Sequence, residues 1–198
     1  MEYRIDPEDD IEKSIVNLPF FSEAMKWGFE REGHPEKITG LHVEGILTFI
    51  DRMCQNYTAW HDLRQDLRLL AMLHDIAKFK VKYENGVLIG NGHNELSKEV
   101  AVGVLGGDHN LLRYLPLIDK YFGFYRDHLS GKKFNAKKFS YLFGQVDLGL
   151  LVRFNYADSC QREKESVKWF EDQARMLGLI SEPIYVKEPK VLERLDVQ

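Results

Sequence analysis

A histidine and an aspartate stand side by side at His74-Asp75, in the run Leu-Ala-Met-Leu-His74-Asp75-Ile-Ala-Lys78. The residues before the pair are apolar on every helical face, which places it at the end of a helix that should be buried. An ionised carboxylate is costly to take out of water unless something pairs with it. A divalent cation is one such partner, because neutral imidazole and carboxylate are both good ligands for transition metals. Neighbouring helical residues point roughly 100° apart, and both can still meet an ion lying between those directions. The alternative is a buried His–Asp pair satisfied by helix caps, and the dipeptide alone does not choose between them. His42, upstream in Gly40-Leu41-His42-Val-Glu-Gly, and Asp158, downstream in Tyr-Ala-Asp158-Ser-Cys, extend the set to His … His-Asp … Asp.

The elements that must carry these residues are helical. Ser14–Phe29 reads as one or two helices broken near Pro19. Val43, Ile46, Leu47 and Ile50 recur at helical spacing within a helix from His42 to Tyr57, and a strong helix runs from Asp62 to Lys78. Residues 79–92 (FKVKYENGVLIGNG) carry the one strand-like signal, with Asn85-Gly86 between short apolar runs; a small β-hairpin and an irregular loop fit equally. Further helices are expected at His93–Leu105, Leu111–His128, Ala136–Phe143, Leu148–Gln161 and Glu163–Leu177, with Gly178 as the last stop. The tail after Ile180 is expected to wrap the surface or to be partly disordered. The fold class is therefore all-α, as a single domain over 1–198.

The ordered motifs resemble the HD superfamily of metal-dependent phosphohydrolases, most closely the HD domain attached to bacterial tRNA nucleotidyltransferases (CCA-adding enzymes). His34-Pro35-Glu36 precedes Gly40-Leu41-His42, as in that family's HPE…G-x-H segment. Leu73-His74-Asp75-Ile76-Ala77-Lys78 is similar to its HD-[IL]-[GA]-K segment, with Ala77 where glycine is frequent. Gly92-His93-Asn-Glu95-Leu-Ser97 falls where the family has a His-rich segment, and Ala157-Asp158 … Arg162 is similar to the closing helix. The resemblance covers about 34–162, the motif-bearing core, and leaves 163–198 as a C-terminal helix and tail. The nucleotidyltransferase head has no counterpart here. The stretch 79–92 is the largest local departure.

The resemblance implies an HD-domain helical bundle with one divalent metal ion, or two, among Mn, Ni, Co, Mg, Zn and Fe. His42, His74, Asp75 and Asp158 would be the ligands, and His93 and His128 candidates for a second ion or for proton transfer. Asp75, Lys78, His93 and His128 are then the catalytic set, and Lys78, Arg162 and His34 the substrate contacts. Metal-activated water would attack a nucleotide or RNA-terminal phosphate ester, as a 2′,3′-cyclic phosphodiesterase, 2′-nucleotidase or phosphatase does. Two other readings share the residues. One is a di-iron HD-fold oxygenase using both His93 and His128. The other is a non-catalytic, metal-containing module that binds a nucleotide or a protein partner. His61 and His109 read as structural or surface residues.

Composition bounds these readings. A hydrophobic fraction of 44% over 198 residues is enough for one sizeable core. The net charge of −4 gives no global basic footprint. Locally, Lys132, Lys133, Lys137 and Lys138 surround Phe134 and Phe139, as a solvated loop and helix start or as a basic contact surface. Cys54 and Cys160 form no CxxC and no disulfide framework. With an acidic start and no run of 18 apolar residues, the sequence reads as a soluble cytoplasmic protein without a membrane span. Such a module is expected to act alone, as a homo-oligomer, or with a separate protein partner.

Overall fold

The computed structural model describes residues 2–28, 37–84, 87–89, 92–159 and 165–184. The class is all-α. The chain divides into two compact units, Met1–Ile118 and Asp119–Gln198. The motif-bearing stretch 34–162 crosses that division.

The first unit opens with α1 (Asp10–Val16) and α2 (Phe21–Lys26), with Pro19 in the gap. Helix α1 begins earlier than apolar periodicity indicates because Asp9 caps it, accepting the Glu12 N–H at 2.7 Å. Helix α3 (Thr39–Asn56) follows, then the short α4 (Thr58–His61) and α5 (Arg64–Leu73). The start of α3 is tied down by Thr39, whose N–H and hydroxyl both donate to the Trp27 carbonyl, at 2.8 and 3.0 Å. Helices α3 and α5 pack on one another and α1 and α6 (His93–Leu105) pack on α5. Ile15, Met25, Ile46, Ile50, Leu67, Leu70 and Ala101 are buried throughout. The middle of α5, Leu69 to Leu73, is apolar and buried on every face, as its sequence requires.

Two expectations need correction, and a third is left open by the sequence. The helix expected to reach Lys78 ends at Leu73; His74–Ala77 form turns and Lys78–Lys80 a 3₁₀ helix. The hydrogen bonds show how. His74 N–H still donates to the Leu70 carbonyl, four residues back. Lys78 N–H donates to Asp75 and Lys80 N–H to Ala77, three back. The last turns are wound tighter, as commonly happens at helix ends. Residues 111–128 are not one helix either: Asn110–Arg113 and Leu115–Leu117 are 3₁₀ turns before α7 (Tyr121–Leu129). Pro116 has no N–H to continue an α-helix and fits the first turn of a new segment. Within 79–92, β1 (Lys82–Glu84) pairs antiparallel with β2 (Val87–Ile89), Tyr83 opposite Leu88. The Asn85-Gly86 turn itself lies outside the described residues.

The second unit holds α7, α8 (Ala136–Phe143), α9 (Leu148–Asp158) and α10 (Glu165–Met176), with α10 packed on α7 and α9. Its core is aromatic. Phe170 stacks on Tyr121 at 4.9 Å and meets Phe143 at 4.9 Å, and Phe139 meets Phe143 at 4.8 Å. Gly178 ends α10 with φ +67°, a left-handed value that glycine adopts without strain. The N–H groups of Gly178 and Leu179 return to Arg175 and Ala174, closing the helix end. Past Ile180 the chain stays anchored as far as Ile184, which is buried and donates its N–H to the buried Glu171 at 2.5 Å. Among the described residues no helix is long and apolar enough to cross a membrane.

Candidate functional site

Five of the sequence-predicted residues, His42, His74, Asp75, Lys78 and His93, come together in the first unit. Asp75 and His74 are both buried. Their position at the α-to-3₁₀ transition controls what Asp75 touches. Residues three apart eclipse one another in a 3₁₀ turn, and Lys78 is three residues on. Its ammonium donates to Asp75 Oδ2 at 2.5 Å. The first turn of α6 supplies His93, whose Nε2 lies 3.4 Å from Asp75 Oδ1. Gly92, just before it, has φ +119°, a conformation that favours glycine and turns the chain into α6. Ser97 on the same helix accepts the Ala77 N–H at 3.3 Å, pinning the tight turn to α6.

His74 faces two ways. Its Nδ1 lies 2.9 Å from the Ala71 carbonyl oxygen, which can only accept. Nδ1 therefore carries the proton, and in the neutral ring Nε2 carries the lone pair. That nitrogen lies 3.3 Å from Asp75 Oδ2. A lone pair facing a carboxylate oxygen is repulsive unless a proton or a metal cation lies between them. Holding one imidazole nitrogen on a backbone carbonyl so that the other is presented to an ion is the usual arrangement of metal-ligating histidines.

His42 enters from the first turn of α3 and is buried. Its ring centroid is 5.5 Å from that of His74, and a ligand nitrogen of each lies within 4.8 Å of the other. Gly40, two residues earlier, lets α3 come close: a β-carbon there would run into the Tyr3 ring and reach within 3.0 Å of the Met25 carbonyl. The glycine of the G-x-H segment thus has a packing reason.

The charges agree with this picture. Burial alone pushes the Asp75 carboxyl up. The opposing pull of positive charge at His74 and at Lys78, with His42 adding to it, holds it well below the usual carboxylate range, whether the charge at His74 is a second proton or a cation on Nε2. A buried carboxylate held toward its ionised form beside two buried imidazoles is a donor set that fits a borderline divalent ion.

The remaining expected residues belong to the second unit or lie outside the described residues. Asp158 is the last residue of α9 in the second unit and half-buried. Asp147 caps that helix, accepting the Gly149 N–H at 2.7 Å. His128 is exposed near the end of α7, stacked on Trp169 at 5.4 Å. His34 and Arg162 lie outside the described residues. His109 is structural: its Nδ1 accepts the Leu111 N–H at 3.3 Å. His61 is exposed beside Asp62.

Two contributors were not singled out from the sequence. Ser97 carried a signal, since it closes the Gly92–Ser97 motif. The Ala71 carbonyl carried none, because every residue has one. Comparison of the chain with family models, with curated proteins and with solved structures finds no match.

Proposed function

We propose that this chain is a metal-dependent phosphohydrolase of the HD type, acting on a nucleotide or RNA-terminal phosphate ester. The observation that carries the reading is the His74 ring: Nδ1 held on the Ala71 carbonyl, Nε2 turned to Asp75 at 3.3 Å. The residues to hold the ion are His42, His74 and Asp75, with Asp158 as the fourth ligand on the strength of the motif order. When bound, a divalent ion supplies Lewis acidity at the phosphoryl oxygens and acidifies water to serve as the nucleophile.

The chain's own residues do the rest. Lys78 neutralises part of the Asp75 charge and would meet a phosphoryl oxygen as a point charge. His93 stands beside Asp75 on the oxygen opposite to His74, its Nε2 3.4 Å from Oδ1. With Nε2 on the carboxylate it is oriented to pass a proton to the leaving oxygen. Burial of the cluster keeps bulk water from competing for these contacts.

The test is metal analysis of the purified protein, then hydrolysis of a phosphate-ester panel that includes 2′,3′-cyclic nucleotides. Mn, Co, Ni and Mg are loaded in turn, with Asp75→Ala alongside. Bound metal with turnover that Asp75→Ala abolishes is expected. Bound metal with no turnover on any ester would overturn the hydrolase reading; no metal uptake would overturn the metal site itself.

A further inference from the structure

The second unit holds a cavity of about 570 Å³ that the phosphohydrolase reading does not use. It is formed by α7 with Lys120 just before it, the loop at 132–135 and α8. Its charge is opposite to that of the whole molecule. Lys120, Arg126, Lys132, Lys133 and Lys138 line it, against one carboxylate, Asp127. The chain as a whole carries −4. Asp127 is engaged by Lys132 at 2.6 Å, which holds its carboxyl below the usual range. The loop is pinned as well as charged: Lys132 N–H donates to the Asp127 carbonyl at 3.0 Å, and Gly131 N–H to His128 at 2.9 Å.

The cavity also has aromatic walls. Phe124 and Phe134 line it, and the Lys138 ammonium sits 5.7 Å from the Phe124 ring centre. Cations and ring faces thus meet within one cavity. It is too large for a lone phosphate, and its volume suits a small organic ligand. Beyond it, α8 presents Tyr141 to solvent with 77% of its surface exposed. Tyr141 follows Lys137 by four residues and Lys138 by three, so all three share one helical face. An exposed aromatic beside lysines is how single-strand binders continue a stacking platform along a backbone.

We propose that this cavity binds a nucleoside phosphate, either free or as a residue of a single nucleic-acid strand. The lysines and Arg126 take the phosphate, and the base lies against the Phe124 and Phe134 rings. In a strand, the neighbouring base stacks on Tyr141. An acidic peptide would satisfy the charge and leave the ring faces unused.

Binding to the full chain is measured in EDTA, so that the result is independent of the metal site. The probes are a fluorescent single-stranded RNA octamer and, separately, AMP and ATP. Polyglutamate of matched charge serves as competitor. The expected result is nucleotide or strand binding that Lys133→Glu with Lys138→Glu weakens at least tenfold; Lys133→Gln with Lys138→Gln gives a smaller loss. For a strand making three to five phosphate contacts, affinity falls on the order of 20- to 130-fold between 50 and 200 mM salt. Tyr141→Ala weakening the octamer and not AMP identifies a strand as the ligand; binding of AMP or ATP alone identifies a free nucleotide. The proposal is overturned if neither probe binds, if the charge-reversed variant binds as tightly as the parent, or if polyglutamate competes as well as RNA.

Discussion

Two clusters of buried charge lie in the first unit, and they are solved differently. Around Arg68, every charge meets a partner of the right shape. Its guanidinium donates to both oxygens of the buried Glu12, at 2.7 and 2.9 Å, and to the Asp6 carbonyl at 3.2 Å. Glu12 also accepts the Glu8 N–H at 2.9 Å. Arg64 joins the rim, paired with Glu8 and with Asp51. Around Asp75, the contacts are instead one lysine and two imidazole nitrogens at 3.3 and 3.4 Å. One of those imidazoles has its proton committed to a carbonyl. The first cluster is complete as a set of hydrogen bonds; the second is a set of donors converging on a carboxylate. Burial and charge are alike in both, so it is pairing geometry that separates a structural knot from a candidate site.

The sharpest way to break the comparison is to remove one partner from the complete cluster. Arg68→Met leaves Glu12 buried without its guanidinium and is expected to cost about 3–5 kcal/mol, read from urea unfolding. A loss below about 1 kcal/mol would mean that Glu12 finds another solution and that the cluster is not structural. The matching change at the other cluster is Asp75→Asn. Metal affinity should fall by more than the roughly 100-fold that loss of an outer-sphere partner costs, while metal-free stability changes by about 1 kcal/mol or less. Calorimetric metal titration beside urea unfolding reads both. Stability collapsing without metal would move Asp75 into the structural class.

A smaller effect is expected at Asp9, which caps α1 and also accepts a hydrogen bond from Gln65 at 2.9 Å. Asp9→Ala should cost about 1 kcal/mol, and leave metal uptake unchanged. The smallest concerns acid sensitivity at the rim. The Arg64 hydrogen bond holds the Glu8 carboxyl below its usual range. Because the folded value is depressed, the stability Glu8 contributes is complete above its unfolded pKa of roughly 4.3. It is lost as pH falls from there through the folded value. Glu8→Gln should shallow the stability-versus-pH curve in that window only; a change of slope near neutrality would assign the curve to another group.

How much of this was legible in the sequence differs residue by residue. The spacing of Val43, Ile46, Leu47 and Ile50 and the all-apolar middle of α5 are local periodicities, and they sufficed for the all-α class. Adjacency in the chain is enough to keep His74 and Asp75 together. The exact end of α5 was not legible, because the shift from α to 3₁₀ bonding depends on Ser97, twenty residues later, holding the Ala77 N–H. The Arg68–Glu12 pair spans 56 residues and left no pattern, since a charged residue in an amphipathic helix ordinarily reads as solvated surface.

The sequence by itself therefore determined the helical class, the candidate ligand types and their order along the chain, because those follow from composition and short-range spacing. Only the tertiary structure decided which imidazole nitrogen faces Asp75, that Lys78 lies on the same carboxylate, and that His93, eighteen residues on, joins them there. Those outcomes depend on where separate helices begin and how tightly one of them is wound. They are set by contacts between residues far apart in the chain, which no local pattern encodes.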